Sequence, residues 1–189
     1  MSRNAVARWV SIVGHPFTSI VLLLLSPFWK GSEVGALRVT SFIAVGIFIP
    51  LGLFMRQRCA SGQWATVDAS ARTDRPVLYL SLFVALLLSS LYFLFIERSA
   101  MLVRGSVVFA VMLGVATVLN RRIKLSLHLA FAVFCGLILT RIHLSHGLPI
   151  LLYTPLLAWS RLALLRHTFP EIMGGFALGL VGAAMMLWL

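Results

Sequence analysis

The sequence predicts an all-α protein, a polytopic bundle of about seven transmembrane helices with six as the alternative, and three observations lead there. Of 189 residues, 60% are apolar and 11% charged, and the mean hydropathy is +1.00. A soluble domain of this length cannot hide so much apolar surface, whereas a bilayer can. The apolar residues also fall in runs, at about 9–28, 36–54, 77–96, 100–119, 125–144, 148–160 and 169–189. Most can cross a hydrocarbon core as helices and are far too long for barrel strands. Lastly, the basic residues gather in the short segments between runs, as in multi-pass proteins. Lipid offers no partner for backbone N–H and C=O groups, so each run is expected to be helical. No internal repeat or long linker divides the chain, so 1–189 reads as one membrane domain with a catalytic-motif core at about 55–189.

Each run carries its own marks. Arg3 and Arg8 precede the first, which Gly14, His15 and Pro16 interrupt, so its lower end is expected to be irregular with His15 in a turn. No small-residue cleavage site follows, and an uncleaved span is expected rather than a signal peptide. Arg75-Pro76 makes a helix entry for the third run, with proline in the first turn and arginine at the headgroup boundary. Ser126 can cap the fifth. The sixth is short, and Pro149 and Pro155 are expected to kink or tilt it. Thr168-Phe-Pro-Glu171 opens the last run as a capping box, with Pro170 in the first turn. Gly174, Gly175, Gly179 and Gly182 then suit close helix packing. Trp9, Trp29, Trp64 and Trp159, near predicted span ends, read as interfacial anchors.

The net charge of +11 would suggest nucleic acid in a soluble protein. Here topology and anionic headgroups account for it, and no nucleic-acid partner is expected. If all seven runs cross, the N-terminus and the loops 55–76, 120–124 and 161–167 share one face. That face carries eleven Lys and Arg against five on the other, which makes it cytoplasmic. Without Arg72, Arg75 and Arg161, which other chemistry could place there, the bias falls to eight against five. The expected setting is a prokaryotic plasma membrane, with membrane lipids as neighbours; oligomeric state is not legible.

The acids exclude more than the bases include. Glu33, Asp68, Asp74, Glu97 and Glu171 form no DxxD-type pair. Magnesium-dependent handling of diphosphates needs clustered carboxylates, so prenyltransferase and alcohol phosphotransferase readings fail. Cys59 and Cys135 suggest neither a disulfide nor a metal site. In Arg141-Ile-His143-Leu-Ser-His146 two imidazoles can share a helix face, but no third ligand is near, and a solvated helix end is the expectation.

Three polar islands remain, all on the basic face. Ser160–Glu171 places Arg161, then His167, then Glu171 between two apolar runs, where charge is expensive. A histidine and a carboxylate at i, i+4 share a helix face, which suits a nucleophilic imidazole held in one tautomer, with arginine to grip an oxyanion. The second island, Arg121–His128, sets Ser126 and His128 at a helix N-terminus, a natural anion site. The third, Asp68–Pro76, holds Arg72 and Arg75. Two histidines, a serine and several arginines without clustered carboxylates are what metal-free phosphoryl transfer would use.

This order and spacing resembles the type 2 phosphatidic acid phosphatase superfamily, whose motifs read K-x6-RP, PSGH and SR-x5-H-x3-D. The third motif matches from Ser160-Arg161 through His167 to Glu171, with Glu for Asp. The second keeps Ser126 and His128 but has Leu125 and Leu127 in place of Pro and Gly. The first keeps Arg75-Pro76, with Asp68 at the lysine position. The likeness covers about residues 50–189. It implies a phosphohistidine on His167, orientation of its ring by Glu171, and His128 as acid for the leaving group and then base for water. Arg161, Arg75 and Ser126 would hold the phosphoryl oxygens, with Arg72 substituting for the missing lysine. It implies no metal and no cofactor, and as substrate a lipid phosphomonoester or a (poly)prenyl diphosphate. The other readings are a non-catalytic lipid-phosphate binder or transporter, and a purely structural membrane protein.

Overall fold

The computed structural model describes residues 2–26, 33–67 and 71–188; Asp68, Trp29 and Lys30 lie outside them. Among the described residues the regular structure is helical, as predicted. The helices are α1 (Arg3–Val13), α2 (Pro16–Leu25), α3 (Glu33–Ser41), α4 (Ile49–Ala60), α5 (Arg75–Phe95), α6 (Ala100–Leu119), α7 (Leu127–Ile142), α8 (Leu144–Ala163) and α9 (Phe169–Trp188). Among the described residues, five segments are long and apolar enough to cross a membrane, at 3–25, 34–60, 72–95, 100–119 and 169–188. The fifth and sixth apolar runs differ from the rest: α7 has only 16 residues, and α8 carries Pro149 and Pro155 within its 20. α8 also outruns the predicted 148–160, so both prolines lie inside one continuous helix.

The helices cluster into two compact units, one of Met1–Ala36 with Ile123–Leu189, the other of Leu37–Arg122. In the first, α7 is the central element. Apart from Leu137, every residue from Leu127 to Leu139 is buried, and α2, α8 and α9 pack on it. Leu129, Ala132, Leu157 and Ile172 form an apolar cluster there with Tyr153 at its edge. The first apolar run breaks where expected: Gly14 ends α1, His15 sits at the N-cap of α2, and Pro16 is its first residue. Gly14 lets this corner lie close to α8: a Cβ there would sit 2.6 Å from a Leu157 methyl, and that side chain would have to shift.

The second unit holds α4, α5, α6 and most of α3. Between α3 and α4 the helix widens to i→i+5 bonding over Phe42–Phe48. Pro50 follows at once, and having no N–H it cannot make the ordinary i→i−4 bond. Phe42 stacks on Tyr92 at 3.8 Å. Tyr92 in turn donates its hydroxyl to Glu97 at 2.5 Å, and Arg38 grips the same carboxylate through two bonds of 2.7 Å. Trp64 corrects its prediction. It is 3% exposed, packed edge-on to Phe54 with the Arg58 guanidinium 5.8 Å from its ring; an aromatic so covered is core, not an interfacial anchor.

Candidate functional site

The loop from α8 to α9 sets the histidine. α8 ends in a Schellman motif: Arg166 N–H donates to Arg161 C=O at 3.0 Å and Leu165 N–H to Leu162 C=O at 2.9 Å. The position that turns left-handed is Leu165, at φ 53°, where glycine is usual. This reversal brings His167 back beside α7, 6% exposed. Its Nδ1 lies 3.2 Å from the Lys124 carbonyl and 3.2 Å from Glu171 Oε2. A carbonyl only accepts, as does an ionised carboxylate, so Nδ1 carries a proton, and in the neutral ring the lone pair is on Nε2. The predicted i, i+4 pair is formed.

Glu171 does three things with one oxygen. Besides holding His167, Oε2 accepts the Thr168 backbone N–H at 3.1 Å, the reach-back half of the predicted capping box. It also lies 4.0 Å from the Lys124 ammonium, which donates to the Arg166 carbonyl at 2.7 Å. Lys124 is the residue that sequence reasoning missed. It lies within the second island, Arg121–His128, and its place two residues before Ser126 is the available signal.

The start of α7 is locked to α9 through the backbone. Ser126 N–H donates to the Glu171 carbonyl at 3.0 Å, and the Ser126 carbonyl sits where a Cβ on Gly175 would meet it at 2.3 Å. Ser126 occupies the N-cap of α7 but makes no capping bond with its side chain, contrary to expectation. Its Oγ is fully buried and, among the described residues, has no hydrogen-bond partner. That hydroxyl sits at the N-terminus of a 16-residue helix, where the helix dipole favours an oxyanion. His128, two residues on, is 7% exposed, and its ring packs edge-to-face on His15 with centroids 5.2 Å apart.

Arg161, 3% exposed, donates from Nη1 to Ser11 Oγ at 2.6 Å. Thus Arg161, His167, Glu171, Ser126 and His128 all belong to the first unit. Arg72 and Arg75 belong to the second. Arg75, expected at the headgroup boundary, is instead 3% exposed and donates to the Tyr79 hydroxyl at 3.2 Å. Arg72 is exposed and donates to the Arg122 carbonyl at 3.1 Å. The lysine position of the first motif, Asp68, lies outside the described residues. No family model, curated protein or solved structure matches this chain, so the superfamily likeness rests on the sequence motifs alone.

Proposed function

We propose that the protein is a multi-pass membrane phosphatase that hydrolyses a lipid phosphomonoester or (poly)prenyl diphosphate through a phosphohistidine, without a metal. The observation that carries the reading is His167: Nδ1–H shared between the Lys124 carbonyl and Glu171, leaving Nε2 as the nucleophilic nitrogen. The Nε2 lone pair attacks phosphorus, and the bond from phosphorus to the leaving oxygen breaks as His128 supplies that oxygen's proton. Water then attacks the phosphohistidine, His128 accepts its proton, and the N–P bond breaks to release phosphate and restore His167. Developing positive charge on the imidazole is offset by Glu171. The buried guanidinium of Arg161, the Ser126 hydroxyl and the α7 N-terminus supply cationic and hydrogen-bonding groups for phosphoryl oxygens. Arg72 and Arg75 enter the reading from the sequence pattern alone. Seven crossings are part of the proposal, with α7 and α8 as the fifth and sixth.

One observation favours the binder instead: Glu171 is accounted for structurally as the cap of α9. Phosphate release by the purified protein from a panel of lipid phosphates and diphosphates, with EDTA present, separates the two. An enzyme releases phosphate, and His167→Ala or His167→Gln reduces the rate on the order of a thousandfold or more. A binder releases none and tolerates His167→Gln in phosphate-lipid binding.

A further inference from the structure

The corner between α1 and α2 belongs to none of the three motifs, yet it meets the site at two of its working residues. Ser11, 8% exposed, accepts the 2.6 Å bond from Arg161. His15 caps α2 through Nδ1, which accepts the Phe17 N–H at 3.3 Å, and its ring lies against His128. With Nδ1 used as an acceptor, His15 is the Nε2–H tautomer, the opposite of His167. The corner is itself held in place. Tyr153 donates its hydroxyl to the Val10 carbonyl at 2.8 Å, and a Cβ on Gly14 would lie 2.6 Å from a methyl of the buried Leu157. Nothing in helix capping requires a histidine at this N-cap, where Ser, Asp or Asn serve better.

We infer that the α1–α2 corner positions the site: His15 holds the His128 imidazole and Ser11 holds the Arg161 guanidinium. The role rests on the phosphatase reading, and the geometry beneath it is testable apart from turnover. Substituting His15→Asn keeps a strong N-cap while removing the ring, so loss of the contact is separated from loss of the helix. The full chain, labelled with 15N and 13C at histidine, is compared with His15→Asn and Ser11→Ala by NMR in detergent, beside the phosphate-release assay and a thermal melt. In the wild type His15 shows the Nε2–H pattern. In His15→Asn the His128 resonances move, the melt stays close to wild type, and kcat falls at least about tenfold with KM little changed, as misplacement of a proton donor would cause. Ser11→Ala raises KM for the phosphate substrate more than it lowers kcat. Unmoved His128 resonances in His15→Asn overturn the inference whether or not the wild type turns over. So does a wild-type kcat in a variant whose His128 resonances have moved. A wild type without turnover defeats the phosphatase reading instead, and the histidine spectra still decide the contact.

Discussion

His167 has two acceptors on one nitrogen, and this sets what each can do. Were Glu171 alone to hold the tautomer, replacing it by an amide would scramble the ring. Because the Lys124 carbonyl accepts from the same Nδ1, Glu171→Gln should keep the Nδ1–H form and remove only the countercharge. Phosphate release should then fall roughly 10- to 100-fold rather than to background. Its melt should stay near wild type, since the amide oxygen still caps Thr168. Glu171→Ala loses the cap as well and should cost about 1 kcal/mol more in a thermal melt. Glu97 makes a second residue-scale case. The Arg38 guanidinium, helped by the Tyr92 hydroxyl and opposed by burial, holds its carboxyl below the ordinary carboxylate range. A depressed folded value stabilises above the unfolded pKa, about 4.3, and the contribution is lost as pH falls through the folded value. Melting temperature should therefore drop below about pH 4.5, and Glu97→Gln should flatten that part of the curve. Arg38 is 58% exposed, so the effect should be small and should weaken with salt.

At the scale of elements, the loop from α8 to α9 and the crossing of α7 with α9 aim the site. Leu165 holds a left-handed conformation with its side chain 92% exposed, so it pays strain and packs little. Leu165→Gly should stabilise by about 0.5–1 kcal/mol, the relief of the left-handed strain less the added freedom of the unfolded chain. A raised melting temperature with unchanged phosphate release would confirm that the Schellman geometry is kept. Gly175 is the opposite case. A methyl there would press on the Ser126 carbonyl, a backbone atom that cannot swing aside. Gly175→Ala should cost roughly 1–3 kcal/mol and displace the α7 N-terminus, lowering phosphate release. Gly114→Ala, where a Cβ meets nothing within 4 Å, is the matched control and should be neutral or mildly stabilising.

For the whole molecule, the proposed seven crossings turn on whether α8 spans the membrane. α8 is about 30 Å long by helix rise, and exposed residues mark both its ends: Ser145 in its first turn and Leu165 just past its C-terminus. With Cys59 replaced by serine and Cys135 left in its fully buried place, Ser145→Cys and Leu165→Cys should react with a membrane-impermeant maleimide from opposite sides. By the charge bias Leu165→Cys should label from the cytoplasm. Labelling of both from one side would remove α8 from the count and, with it, the parity on which the proposed seven crossings depend.

Much of the candidate site was legible because its signals are local. The His167–Glu171 pair, the break at Gly14-His15-Pro16 and the start of α9 each follow from spacings within one or two helical turns, where backbone geometry alone dictates what meets. Composition and run length dictated the all-α class, since lipid leaves the backbone no other partner. What lay beyond reach was every contact between distant elements: Lys124 beside Glu171, Ser126 against Gly175, Ser11 under Arg161, His15 on His128. Those depend on which helix faces interlock, and in an apolar chain many faces look alike. The tertiary structure chose among them by fit, placing Gly175 and Gly179 where α9 meets the α7 backbone and setting the buried Arg161 and His167 against polar partners.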